Sequence, residues 1–424
     1  MNVTTAEELE RINKIRQEKI YNKILEKNTA IEFHDTLENT MVLNMGPQHP
    51  ATHGVLRIVL EINGETVVNS IPEVGYLHRG MEKIAENMGL HEFIPFTDRM
   101  DYLSPLANNV AYVLACENAL GIEAPPRSQW IRVLCCELAR ISSHLMAIGS
   151  MAMDAGAVSM LVWAFTEREK IYDVIELITG VRFTTSYTRI GGVAFDLSPE
   201  AVAKLREFLE QLPEQLEFMK KVILRNRIFI DRLSGTCILE PARAVALGVT
   251  GPSIRGCGLA RDLRRDMPYL VYNELDFNVI TENGCDNWAR QLVRVREMEE
   301  SYKIIKQVLD KMPIGEIRLQ NTKTTFSKKK AIYSNMEELI SDFILVNFGG
   351  KIPVGETYTA VEGAKGELGF FIVSNGSGHP WKMKIRSSSA SNLQCLSEII
   401  YGSMISDVVL AIGSLDPIMG EVDK

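Results

Sequence analysis

Along three long stretches of this 424-residue chain, apolar residues return in steps of three and four. They are Ile131, Leu134, Leu138, Ile141, Leu145 and Ile148; Leu205, Leu209, Leu212, Leu216, Met219 and Ile223; and Leu292, Val295, Met298, Tyr302, Ile305 and Leu309. That period lays one apolar stripe along each helix, and stripes of this length have to be buried against other helices. The punctuation agrees. Ser104-Pro105, Pro125-Pro126 and Ser198-Pro199 open helices, because proline at the first helical position loses no hydrogen bond, and Gly121 stands just past the end of the first. A further helix is expected from about Trp288 to Met312, and Ser334 with Glu337 has the spacing of a capping box opening a fifth. Pro213 should bend its helix locally. The core is therefore a bundle of long helices.

Strands flank the bundle. Met41 to Met45 and Val55 to Ile62 are apolar and β-branched, Leu56, Ile58, Leu60 and Ile62 fall on one face, and Asn63-Gly64 is a preferred two-residue turn before Thr66 to Ile71. Thr357 to Val361, Gly369 to Ser374 and Trp381 to Ile385 are separated by Gly, Asn and Ser turns. The expected class is α+β, mainly α. It comprises an N-terminal helical extension (1–40), a β meander with a histidine loop (41–100), a helical bundle (101–350), and a C-terminal antiparallel β element with a closing helix (351–424). The extension carries an irregular apolar stripe (Leu9, Ile12, Ile15, Ile20, Ile24) that suits either a solvated terminal helix or a docking arm.

The histidine loop, Gly46-Pro47-Gln48-His49-Pro50-Ala51-Thr52-His53-Gly54, boxes two imidazoles between two prolines and two glycines. Proline fixes φ and removes a donor, while glycine supplies dihedrals other residues hold only at a cost. His49 and His53 have the spacing of a zinc pair, but that pairing belongs to a helix, and Pro50 and Gly54 argue against one. Metal binding is not expected. A structural role in the turn suits His49 better than His53. Residues Leu145 to Phe165 contain a single charge, Asp154, and are long enough to span a bilayer. Their Gly, Ala, Ser and Met content, and the seam they continue, fit a central helix pair better, with Asp154 an acid that has to be paired or hydrogen-bonded.

The formal net charge of −8 argues against nucleic acid as a partner. The seven cysteines are odd in number, include no Cys-x-x-Cys, and read as buried reduced thiols. Gly251-Pro-Ser-Ile-Arg-Gly256-Cys-Gly258 lacks the Lys-Ser/Thr of a phosphate loop and reads as packing turns. Spacing alone offers no complete catalytic set.

Several motifs in order do carry a resemblance. They are the histidine loop, Gly75-Tyr-Leu-His-Arg-Gly-Met-Glu82, Asp98-Arg-Met-Asp-Tyr102, Leu161-Val-Trp-Ala-Phe-Thr-Glu-Arg168, Asn273-Glu-Leu-Asp-Phe277, Leu292-Val-Arg-Val-Arg-Glu-Met298 and the ending Gly413-Ser-Leu-Asp-Pro-Ile-Met-Gly-Glu-Val-Asp423. From about residue 40 onward the chain resembles the quinone-site D subunit of bacterial respiratory complex I, the proton-translocating NADH:quinone oxidoreductase. That family is similar in fold to the large subunit of nickel–iron hydrogenases. Hydrogenase chemistry itself is rejected, because it takes two Cys-x-x-Cys pairs to hold the metals. Here those positions read His78-Arg-Gly-Met-Glu-Lys83 and Leu415-Asp-Pro-Ile-Met-Gly420.

The resemblance implies a translocase component of the respiratory electron-transport chain. Its site accepts electrons from the terminal iron–sulfur cluster of a neighbour and passes them to quinone. His53 and Tyr102 are the implied headgroup ligands, with Asp154 pairing with His53, and Arg79 and Arg99 lie near the partner's cluster. No cofactor is expected on the chain itself. Quinone is the substrate, and the iron–sulfur clusters and FMN belong to partner subunits. The implied partners are the iron–sulfur B subunit, the C subunit, other peripheral-arm subunits and the membrane H subunit at the quinone channel. The implied location is peripheral, on the cytoplasmic side of the cell inner membrane. The same role in a complex fed by ferredoxin or another donor, or a purely scaffolding role, are the alternatives. Within Arg182-Phe-Thr-Thr-Ser-Tyr-Thr-Arg189, many relatives carry a histidine where this chain has Thr184, which implies a weaker pH dependence of the cluster's potential.

Overall fold

A computed structural model describes residues 40–320 and 324–424. The expected terminal helix and docking arm therefore lie outside the described residues. Among those described, the longer helices, labelled in chain order, run Pro105–Leu120 (α1), Pro126–Asp154 (α2), Val158–Thr179 (α3), Pro199–Met219 (α4), Asn287–Lys311 (α5), Met336–Phe348 (α6) and Ile405–Leu415 (α7). Proline begins α1, α2 and α4 as its fixed φ predicts, and Gly121 ends α1 in the left-handed region at φ 66°. The Ser198 hydroxyl accepts from Ala201 N at 3.0 Å and caps α4. Helix α4 continues through Pro213 into a π-helical turn over Lys220–Leu224. The stretch from Leu145 to Phe165 resolves into the end of α2 and the start of α3. The two helices close in at Gly149, where a Cβ would stand only 2.7 Å from the Ala164 methyl. Among the described residues, no helix is long and apolar enough to cross a membrane.

Two caps differ from expectation. Ser334 closes a short helix, Lys329–Ser334, and its hydroxyl donates back to Lys330 O at 3.0 Å. With that oxygen turned toward the preceding turn, α6 starts after Asn335 without the expected capping box. Ser104 occupies the cap position of α1 but makes no side-chain cap bond; Asp101 closes the turn ahead of the helix by accepting from Leu103 N at 3.0 Å.

The longer strands form two antiparallel sheets. Met41–Met45 (β1), Arg57–Asn63 (β2) and Thr66–Glu73 (β3) pair in the order β1-β2-β3. The hairpin loop falls one residue later than expected, on Gly64 and Glu65: Asn63 still pairs with Thr66, and a bulge interrupts the ladder at Glu61 and Ile62. Gly355–Gly363 (β4), Gly366–Ser374 (β5) and Lys382–Arg386 (β6) form the second sheet. The first sheet places Leu56, Ile58, Leu60 and Ile62 in one core with Leu396, Ile400, Val408, Ala411 and Ile412. The two ends of the described chain are thus packed together, and α7 lies against the histidine loop.

The bundle is not purely apolar. Between α2, α5 and β4 lies a buried ionic lattice that the apolar seams did not announce. The Glu137 carboxylate accepts from Tyr272 and Ser301, each at 2.6 Å, and pairs with Arg140 at 3.3 Å and Arg264 at 3.2 Å. Arg264 also holds Asp262 at 2.7 Å, while Arg255 holds Glu297 and Glu362, each at 2.7 Å. His144 stands 2.9 Å from Glu297. Every member is almost wholly out of solvent. Buried charges persist only when paired and hydrogen-bonded in this way.

Candidate functional site

The histidine loop is built as stiffly as its prolines suggest. Gly46 takes φ 84°, and a Cβ there would lie 2.2 Å from Leu56 O, so only glycine fits. Thr52 Oγ1 donates to Pro47 O at 3.1 Å and His49 O at 3.0 Å. His49 Nδ1 accepts from Ala51 N at 3.2 Å, so this imidazole caps the Pro50–Thr52 turn. His53 ends the turn in the left-handed region at φ 55°, an uncommon state for a residue with a Cβ. Unlike its buried neighbours Ala51 and Thr52, it is exposed.

Tyr102 enters from the turn before α1 and is half-buried. Two charges act on both side chains. The His53 imidazole, though its residue is open to solvent, has protein packed around it that displaces much of the surrounding water; this chiefly holds its pKa below the usual value, with Asp416 opposing and Lys365 assisting. The Tyr102 phenol is pushed up, again chiefly by lost solvation, with Asp101 and Asp416 adding to the rise and Lys365 opposing it. His53 and Tyr102 thus share one pair of charged neighbours, although they stand far apart in the chain. Sequence reasoning missed Lys365 altogether. Asp416 was visible only as part of an ending motif.

Asp154 ends α2 close to Gly413 of α7, where an added Cβ would sit 3.3 Å from the Asp154 carboxylate. The implied pairing with His53 is not among the described contacts; the acid acting on His53 is Asp416. Burial alone pushes Asp154 up to about 6. A folded pKa above the unfolded one favours folding below the unfolded value, and that gain is lost as pH rises through about 6. Asp154→Asn should accordingly stabilise the protein at pH 8, by about 2 kcal/mol after allowing for partial solvent contact. A raised thermal midpoint would report it. The gain should fade by pH 4, and an equal gain at both pH values would contradict this account.

Arg79 and Arg99 lie together on an exposed edge. Arg79 Nη2 donates to Arg99 O at 2.9 Å and to Gly420 O at 3.5 Å, and Arg99 stands 3.9 Å from Asp98. Asp98 accepts from Ser186 N at 3.0 Å and Ser186 Oγ at 2.7 Å, which anchors the loop carrying Thr184 beside this edge. The two segments that would carry metal thiolates in a hydrogenase do converge. Asp423 accepts from Gly75 N at 2.9 Å and Leu77 N at 2.8 Å, and His78 Nδ1 lies 2.6 Å from Asp423 O. Among the described residues, no group of three or more His, Cys, Asp or Glu side chains could hold a metal ion.

Comparison with known proteins bears directly on this arrangement. Residues 154–424 match the family described as respiratory-chain NADH dehydrogenase, 49 kDa subunit. The chain belongs to that 49 kDa family. It is 51% identical over 433 residues to an NADH-quinone oxidoreductase D subunit of Chloroherpeton thalassium, covering 100% of this chain and 98% of that one. The D subunit of Salinibacter ruber is 48% identical over 391 residues, covering 92% of this chain and 87% of its own, and that of Methylacidiphilum infernorum is 50% identical over 384 residues, covering 91% and 92%. As a 49 kDa-family chain, the protein is a mainly helical α+β member of an oxidoreductase complex, as the motifs implied.

Proposed function

We propose that this chain is the quinone-site subunit of a proton-translocating NADH:quinone oxidoreductase. It would act on the cytoplasmic side of the cell inner membrane as a peripheral component, beside the iron–sulfur B subunit and the C subunit and facing the membrane H subunit. What supports the reading is that one pair of charges 3.7 Å apart, Lys365 and Asp416, acts on both His53 and Tyr102. A quinone that takes up two electrons becomes basic at both ring oxygens, and a hydrogen-bond donor at each end stabilises the reduced form. The two electrons would come from the partner's cluster. One proton would come from the imidazolium of His53 and one from the Tyr102 hydroxyl, giving the quinol, and two protons taken up from solvent would restore both side chains. The left-handed backbone at His53 fixes where its ring can reach. Arg79 and Arg99 supply positive charge on the edge that the cluster-bearing partner would cover.

Tyr102→Phe and His53→Ala in the assembled complex test this. Each should lower quinone turnover roughly 10²- to 10⁴-fold. NADH oxidation by an artificial acceptor, which leaves the complex upstream of the site, should be unchanged. Quinone turnover surviving both changes would leave the chain a scaffold for the cluster-bearing partner.

A further inference from the structure

Lys365 occupies the two-residue turn between β4 and β5, where lysine ordinarily reaches into water, yet its side chain is only 2% exposed. The hairpin tip is pressed into the body. A Cβ on Gly251 would lie 2.3 Å from Lys365 O, and Asn392 Nδ2 donates to that carbonyl at 3.0 Å. The ammonium donates to Asp101 Oδ2 at 3.0 Å and Ser143 Oγ at 2.8 Å, and it stands 3.7 Å from Asp416 Oδ2. That Asp416 oxygen is buried and accepts no hydrogen bond among the described residues, so the ammonium is its near counter-charge. Asp101 directly precedes Tyr102. Asp416 ends α7, the helix packed on the turn that leads to His53.

We propose that Lys365 is a positioning residue of the quinone pocket: by bridging Asp101 and Asp416, its ammonium ties the charge beside Tyr102 to the charge beside His53. The proposal rests on the quinone reading above. One cation is shared by both carboxylates, so neither proton donor faces an uncompensated acid. Proton loss at one donor then changes the field at the other through a single buried group. Other charges face the bridge. Arg294 of α5 donates to Ser414 O at 2.6 Å and feels Asp416, while Arg168 of α3 feels both Asp101 and Asp416. Glu421, held by Ser388 and Ser389, feels Asp101 and Lys365. Among the described residues, none of these three is hydrogen-bonded to the ammonium, and only Lys365 is paired with both acids.

The test is the pH profile of quinone turnover by the assembled complex at saturating quinone. Lys365→Met removes the cation that disfavours imidazolium at His53, so the basic limb should move to higher pH. Asp416→Asn removes the anion that favours imidazolium, so the limb should move to lower pH. Each shift should be about half a unit to one unit, the size of one partly screened charge contact. Lys365→Arg should leave the limb in place. A purely structural lysine would lower turnover at every pH without moving the limb, and limbs that stay fixed or move in the same direction overturn the proposal. Should Lys365→Met fail to assemble, an unmoved limb in Asp416→Asn overturns it alone. Loss of turnover in Tyr102→Phe and His53→Ala without these opposed shifts would sink the bridge and leave the quinone reading standing; survival of turnover in those two variants would sink the quinone reading itself.

Discussion

Glu137→Leu should destabilise the protein by about 3–5 kcal/mol, among the largest losses any single replacement in this chain can cause. The carboxylate is fully buried and serves four partners: Arg140, Arg264, Tyr272 and Ser301. Removing it strips both guanidinium groups of a counter-charge and leaves two hydroxyls without their acceptor, at a cost of about 1–3 kcal/mol for each orphaned group before relaxation. Leucine fills much of the volume, so the loss comes from charge and not from a cavity. Glu137→Gln keeps the acceptor oxygen and discards only the charge, and it should fall between the two. Thermal unfolding of the purified complex, together with its yield, measures the effect. Equal midpoints for Glu137→Leu and wild type would show that the lattice adds nothing net to stability, the outcome known for some buried ion pairs when all partners are replaced together.

Acid should loosen the fold well before the ordinary carboxylates titrate. His144 is fully buried, its Nε2 facing Glu297 at 2.9 Å while its Nδ1 has no partner among the described residues. Burial pushes its pKa down to about 4, with Glu297 opposing and Arg140 and Arg294 assisting. A folded pKa below the unfolded value of about 6.5 means that the unfolded chain binds the proton more readily. The contribution of neutral His144 is therefore complete above about pH 6.5 and is lost as pH falls toward about 4, amounting to roughly 3 kcal/mol. His53 and His91 are lowered too and act with the same sign. As pH falls through the usual carboxylate range a second loss begins and continues below it, because Glu137, Glu297 and Asp262 are held down by their arginines in the folded state while the unfolded chain already takes up protons. Glu362 and Glu421 are raised by burial and work in the opposite direction, favouring the folded state as they protonate. His144→Gln keeps a donor for Glu297 without a titrating ring, so its thermal midpoint should vary less between pH 6.5 and pH 4 than that of the wild type. Parallel curves for the two proteins would refute the assignment.

Helix ends were the most legible part of the fold. Pro105, Pro126 and Pro199 begin helices where the chain says they should, and Gly121 ends one, because proline's ring and glycine's missing Cβ act on the residues next to them. Apolar periodicity likewise marked α2, α4, α5 and β2, and turn residues between apolar runs marked the other strands of the two sheets. Where local signals competed, prediction slipped by a residue or a partner. Ser334 turned its hydroxyl to its own helix, Ser104 makes no side-chain cap bond to α1, and the Asn63-Gly64 turn falls one residue later in a hairpin that carries a bulge. Among the site residues, His53 stood out through its rigid loop. Asp154 stood out as the lone charge of an apolar run, but its pairing with His53, like Tyr102, Arg79 and Arg99, came only through family resemblance, since one tyrosine before a helix has many ordinary explanations.

By itself, then, the sequence determined the elements, their order and the family, because propensity, capping and repeat period act over a few residues. Tertiary structure decided which charges meet. Lys365 pairs with Asp101 across 264 positions, and Glu137 reaches Ser301 across 164. A turn lysine and a helix glutamate both look solvent-facing in a linear reading, and only burial beside distant partners gives them a role. Charge pairing follows distance in space, and distance in space is what folding adds.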